Sequence, residues 1–121
     1  MERVTGIGGL FFRGNDPALL ADWYETHLGV IGVGESYDDP VWLQQEGPTV
    51  FAAFGPDHWD SPHLGPTGWG VNFRVADLDA MVAQLHAAGI DVAVDDTLYP
   101  NGRFAQLADP EGNPIQLWQP T

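Results

Sequence analysis

Reactive side chains are few in this chain, and their spacing narrows the chemistry quickly. There is no cysteine, so thiolate metal sites, disulfides and cysteine nucleophiles are excluded together. Ser36 and Ser61 are the only serines, and neither lies in the strand–turn–helix context that exposes a catalytic hydroxyl. The histidines are His27, His58, His63 and His86. His58 and His63 share a loop with Asp57 and Asp60. Their pattern matches no zinc spacing and would give at best an adventitious site. His27 and His86 fall in the last turns of two expected helices, where they serve terminal carbonyls and the helix dipole. Gly6-Ile7-Gly8-Gly9 precedes a strand instead of joining strand to helix, so it cradles no phosphate.

The basic residues are Arg3, Arg13, Arg74 and Arg103, and lysine is absent. Arg13 and Arg74 end equivalent strands. A guanidinium there suits a carboxylate or enolate. Salt bridges to Asp16 or Asp77 compete with that reading, and the 17 acidic residues favour them. Tyr99 is a hydrogen-bond donor or general acid in one reading and an ordinary turn tyrosine in the other. Of the five tryptophans, Trp23 falls on a helix stripe and reads as core. Trp42 and Trp118 are the better pocket aromatics, and Trp59 and Trp69 flank a central loop. Aromatic walls bind planar or cationic molecules by stacking and cation–π attraction; core filling explains each tryptophan taken alone equally well.

The elements that must position these groups come in two copies. Gly9, Phe12, Arg13 and Asp16 recur at one spacing as Gly70, Phe73, Arg74 and Asp77. Ile7 to Arg13 and Val71 to Val75 read as strands. Asp16-Pro17 then caps a helix whose apolar stripe is Leu19, Leu20, Trp23, Tyr24 and Leu28, and Gly29 stops it. Asp77 caps the second helix, Met81, Val82, Leu85 and Ala88 form its stripe, and Gly89 stops it. Short strands are expected near 30–33, 41–44 and 49–54, and again near 92–94, 104–108 and 115–119. Glu46-Gly47-Pro48 aligns with Glu111-Gly112-Asn113. The expected fold is α+β, with two βαβββ modules in tandem, about 1–54 and 69–121, within a single domain of 1–121. The segment 55–68 connects them, as a lid or only a linker. A unit of such size is marginal alone, so the copies should pack together around a seam or cavity.

The net charge of −13 repels phosphate backbones and anionic lipid, which argues against nucleic-acid and membrane partners. It is a solubilising surface or, in a sharper reading, an attraction for a cationic small molecule. Met1-Glu2-Arg3-Val4 lacks the basic start and apolar stretch of a secretory signal, and no run is long enough for a membrane span. The expected compartment is the cytoplasm.

Three segments carry a resemblance to a known superfamily: Asp16-Pro17 to Tyr24, Val75-Ala76-Asp77-Leu78-Asp79, and Ala108-Asp109-Pro110-Glu111-Gly112-Asn113-Pro114-Ile115-Gln116-Leu117-Trp118. Over nearly its whole length the chain resembles the vicinal oxygen chelate group, which includes glyoxalase I, bleomycin-resistance proteins and extradiol dioxygenases. The resemblance implies curved sheets around a cavity, helices on their outer faces, and a homodimer. With side chains alternating along each strand, Leu10, Phe12, Val71, Phe73, Ile115 and Leu117 suit the helix-covered face. Phe11, Phe51, Trp42, Asn72, Arg74, Gln106, Gln116 and Trp118 then face the cavity. Arg103 and the adjacent Phe104 are placed at its mouth, where similar chains carry Gly-Arg/Lys-Phe.

Metal-dependent members of that group draw one ligand from each of four strands. The corresponding positions here are Gly9, Phe51, Gly70 and Gln116, of which Gln116 alone carries a donor atom. No metal and no cofactor is therefore expected, and no catalytic residue is assigned. The leading expectation is a metal-free protein that binds, and sequesters, an aromatic or cationic metabolite or antibiotic. A metal-independent lyase or isomerase is the alternative, and a metal-dependent glyoxalase or dioxygenase a more distant one.

Overall fold

A computed structural model describes residues 1–58, 61–65 and 68–121. Helix α1 spans Pro17–Leu28. It is followed by β1 (Val71–Arg74), α2 (Leu78–Ala87), β2 (Ala93–Val94), β3 (Gly102–Ala108) and β4 (Pro114–Pro120). The strands form one sheet in the order β1-β4-β3-β2. β1 runs parallel to β4, and β3 is antiparallel to both its neighbours. The architecture is α+β.

Both helices start and stop where their sequences dictate. The Asp16 carboxylate accepts from the Leu19 backbone N–H at 3.1 Å, and Asp77 accepts from Ala80 at 3.0 Å. Each thereby satisfies a donor that the first helical turn leaves unpaired. Gly29 and Gly89 take φ of 72° and 79°, the left-handed backbone that ends a helix and disfavours a side chain. Leu20 and Tyr24 of α1, and Leu78, Val82 and Leu85 of α2, are buried. They pack on Ala105 and Leu107 of β3 and Ile115 and Leu117 of β4. Leu19 and Ala88, expected on the apolar stripes, are exposed, and Leu78 in the first turn of α2 is buried instead.

The second half thus follows the expected strand–helix–three-strand order. The first half departs from it. Among the described residues, the segments 7–13, 30–33, 41–44 and 49–54 have no ladder partner. Their large apolar side chains, including Phe11, Val33, Leu43 and Phe51, stay in solvent. Alternation in a sequence names the face a side chain takes, not the neighbour that supplies the hydrogen bonds.

The two turns show why the copies differ. Asp109 stitches the β3–β4 turn by accepting from the Glu111 N–H at 2.9 Å, the Asn113 N–H at 3.0 Å and the Asn113 Nδ2 at 2.7 Å. The aligned first-half positions are Gln44 and Pro48. Glutamine is a weaker acceptor for backbone donors than a carboxylate, and proline has no N–H to give. The first turn therefore lacks the stitch that closes the second hairpin.

The same turn also holds α1. The Tyr24 hydroxyl donates to Asp109 Oδ2 at 2.7 Å, with both residues buried. Glu111 accepts from the Asn15 and Asp16 N–H groups at 2.7 and 3.1 Å.

Candidate functional site

The face of the sheet turned away from the helices is built of two cross-strand rows. Asn72 of β1, Gln116 of β4 and Gln106 of β3 are register partners. One step along, Arg74, Trp118 and Phe104 are partners in the same way. Residues between them on each strand, Phe73, Leu117 and Ala105, point to the helices because side chains alternate.

The amide row is internally bonded. Asn72 Nδ2 donates to Gln116 Oε1 at 2.7 Å, and Gln106 Nε2 donates to the Pro62 carbonyl at 2.9 Å. In the second row the Phe104 and Trp118 rings are parallel to within 3°, their centroids 6.1 Å apart. The Trp118 indole N–H donates to the Asn101 carbonyl at 2.9 Å. Tyr99 meets Phe104 edge-on at 5.6 Å, and its hydroxyl donates to Asp95 at 2.8 Å. That bond holds the Tyr99 hydroxyl above its ordinary pKa, making it a poorer proton donor to anything else.

Arg74 does not form the expected salt bridge. It donates to the Pro48 carbonyl at 2.6 Å, the Thr49 hydroxyl at 3.1 Å and the Gln45 carbonyl at 2.7 Å. The guanidinium fork pins the 45–49 turn, which has no stitch of its own. A Cβ at Gly47 would come within 2.8 Å of Arg74 Nε, so a glycine there lets the guanidinium approach. Arg74→Met is expected to free this turn. Limited proteolysis should then cut at residues 45–49 severalfold faster, and unchanged cleavage would count against the pinning.

Trp42, Phe51, Asn72, Arg74, Phe104, Gln106, Gln116 and Trp118 border one hollow of about 3340 Å³. Small-molecule sites run to roughly 300–1,000 Å³, so this hollow is an open trough, not a closed pocket. Trp42 meets Phe73 edge-on at 6.3 Å, beside β1, and Phe51 is 92% exposed. Two expected site residues lie apart. Phe11 does not border the hollow and is 92% exposed. Arg103 has the parity of Ala105 and Leu107, so it stands on the helix side of the sheet. There it pairs with Asp79 of α2 at 2.9 Å, which holds that carboxyl below the usual aspartate range. Its parity was readable from the sequence, since Arg103 is two residues before buried Ala105.

The four positions that the resemblance marks for metal ligands carry side chains poorly suited to one. A side chain at Gly70 would run into the His63 carbonyl. Gly9 and Phe51 offer no donor atom, and Gln116 Oε1 is already engaged by Asn72. Among the described residues, no three His, Asp or Glu side chains converge as a metal site. His58 and His63 flank the Phe54 ring at 5.6 and 5.9 Å; Trp59 and Asp60, in the same loop, lie outside the described residues. His86 reaches the Val92 carbonyl at 3.3 Å, and His27 packs on Trp23 at 5.5 Å. Among the described residues, no helix is long and apolar enough to cross a membrane.

Known proteins resemble this chain in sequence and in fold. The profile of the Glyoxalase-like domain family matches residues 9–118, and the chain belongs to that family. The biphenyl-2,3-diol 1,2-dioxygenase of Sphingomonas paucimobilis is 44% identical over 66 residues, 49% of this chain. The match spans only 21% of that enzyme. TnmS3, an antibiotic binding protein from Streptomyces sp. CB03234, has a similar structure, with a TM-score of 0.52 and 27% identity over 88% of both chains. A glyoxalase/bleomycin resistance protein from the same organism matches 41% of this chain and 43% of its own at 40% identity, with a TM-score of 0.38.

Proposed function

We propose that this chain is a metal-free small-molecule-binding protein that holds an aromatic metabolite or antibiotic over the amide and aromatic rows of its sheet. The observation that carries this reading is the Gly70 position. At this position, one of the four that the resemblance marks for metal ligands, the His63 carbonyl fills the space a side chain would need, and the remaining positions supply one occupied amide. The similarity to an antibiotic binding protein across most of both chains supports a binding role. The dioxygenase relative adds common descent without its activity, because the match covers about a fifth of that enzyme.

In this reading the first-half segments 7–13, 30–33, 41–44 and 49–54 are the strands of a second βαβββ module. They wall the trough on its open side, within one chain or across a homodimer. Apolar residues such as Phe51 and Leu43 would then leave solvent, each burial worth about 2 kcal/mol. A cytoplasmic, soluble sequestering protein fits the strongly acidic composition.

The test is direct. Elemental analysis after metal supplementation should find no stoichiometric Ni, Zn, Mn or Fe. An aromatic ligand at about a hundred times its dissociation constant should add about 2.7 kcal/mol of stability and raise the melting temperature. A stoichiometric metal, or a panel of aromatic ligands that never shifts the melting temperature, would reject the proposal.

A further inference from the structure

The turn that leads into β3 carries a reactive pair of residues that the fold cannot discard. Of the asparagines Asn15, Asn72, Asn101 and Asn113, Asn101 alone is followed by glycine. Asparagine is a thermolabile residue, and a following glycine makes it more so. With no Cβ beside it, the glycine nitrogen is uncrowded and can reach the asparagine side chain. The other three are guarded. Asn113 precedes proline, which has no N–H to react. Asn72 lies within β1, and its Nδ2 is bonded to Gln116 at 2.7 Å. Asn15 precedes Asp16, whose N–H is held by Glu111 at 3.1 Å.

Asn101 sits exposed in the turn Tyr99-Pro100-Asn101-Gly102. Its backbone carbonyl accepts from Trp118 Nε1 at 2.9 Å and from the Thr121 N–H at 3.4 Å. Its side-chain amide has no hydrogen-bond partner among the described residues, so nothing holds it away from Gly102. The Gly102 N–H is restrained by one neutral bond, to the Tyr99 carbonyl at 3.1 Å. Such a bond at the exposed end of a hairpin opens by local fraying. Glycine itself is obligatory here. Gly102 has φ of 137°, and a Cβ would run into the Gln119 carbonyl and Trp118 Nε1. The packing of β4 against the turn therefore keeps the reactive pair in place.

We infer that Asn101 is a site of spontaneous deamidation, and that its isoaspartate product releases the Trp118 indole. The Gly102 nitrogen attacks Asn101 Cγ and gives up its proton. The new N–Cγ bond closes a succinimide ring as the Cγ–Nδ2 bond breaks, and ammonia leaves with that proton. Water then opens the ring at either carbonyl. Opening at Cγ gives aspartate. Opening at the former backbone carbonyl gives isoaspartate, whose chain runs through Cβ and Cγ. Water is consumed and ammonia released, with no oxidation or reduction. In isoaspartate the former backbone carbonyl becomes a pendant carboxylate, and the main chain gains one atom. The acceptor that fixes Trp118 and Thr121 thus leaves its place in the turn. Trp118 lies parallel to Phe104 on the hollow face of the sheet, so chemical ageing of the turn reaches that face whatever the trough binds.

The test keeps the natural protein folded in warm neutral buffer for days, then maps its peptides by mass spectrometry. Methyl transfer by an isoaspartyl methyltransferase marks the isomer. Product at position 101 should exceed that at Asn15, Asn72 and Asn113 manyfold. Asn101→Gln keeps an amide but would have to close a larger ring, and should abolish the product. The five tryptophans each give an indole N–H signal in a heteronuclear NMR spectrum, and that of Trp118 is assigned by its nuclear Overhauser contacts to Asn101. This signal should move as isoaspartate accumulates. It should stay nearly in place in Asn101→Asp, which adds the charge without rerouting the chain. No product at position 101 in the folded protein would overturn the inference, whether or not the urea-unfolded chain reacts. So would isoaspartate at that position with the Trp118 signal unmoved, or an equal movement in Asn101→Asp.

Discussion

Asp109→Ala is expected to remove roughly 3 kcal/mol of folding stability, the largest loss from any polar residue among those described. Its carboxylate is 5% exposed and accepts from Tyr24, from two backbone N–H groups and from the Asn113 amide. Alanine leaves all four donors short of a partner at once. Tyr24→Phe removes only one and should cost about 1–2 kcal/mol. Urea titration measures both.

Tyr24 also gives the pair a pH signature. Burial first, and then the bond to Asp109, push its hydroxyl above the ordinary tyrosine value. An unfolded Tyr24 ionises near pH 10, while the folded one stays neutral. The stability it contributes is complete below pH 10 and is lost as pH rises beyond it. Tyr24→Phe should flatten this alkaline limb. A limb of unchanged slope in the variant would show that the link does not act in this way.

Leu117→Ala is the second large effect, at about 3 kcal/mol. Leu117 is fully buried against the helices, and its chain neighbours Gln116 and Trp118 form the floor of the trough. Truncation leaves a cavity directly beneath both. Ligand binding should weaken severalfold in protein that remains folded, because the amide and the indole lose the support that orients them. Leu19→Ala, on the exposed side of α1, should change stability by less than about 0.5 kcal/mol. Equal effects of the two substitutions would contradict the packing described.

The elements most legible in the sequence are those with local causes. Asp16 and Asp77 announce their helices because a carboxylate before a helix has one chemical use there, and Gly29 and Gly89 end them for an equally local reason. The faces of β1, β3 and β4 were readable because one side is buried, which ties alternation to solvent. That segments 7–13 and 49–54 lack ladder partners is not legible, since pairing depends on a neighbour distant in sequence. The role of Arg74 was hidden too. Its acceptors are mainly backbone carbonyls, which every residue has, so no side-chain type marks them, and the nearby acids offer competing partners. Arg103 pairs with Asp79 of α2, away from the position the resemblance implies. The resemblance points to the pocket mouth, while its own parity with Ala105 and Leu107 sets it on the α2 side.

The buried hydrogen bond between Tyr24 and Asp109 joins residues far apart along the chain, whereas β3 and β4 are joined by a turn of five residues closed by local bonds. Loop closure is cheaper over short distances, so the hairpin and α2 should form the folding nucleus and α1 should dock afterwards. Kinetic analysis would then show Tyr24→Phe acting mainly on the unfolding rate, with the refolding rate left nearly untouched.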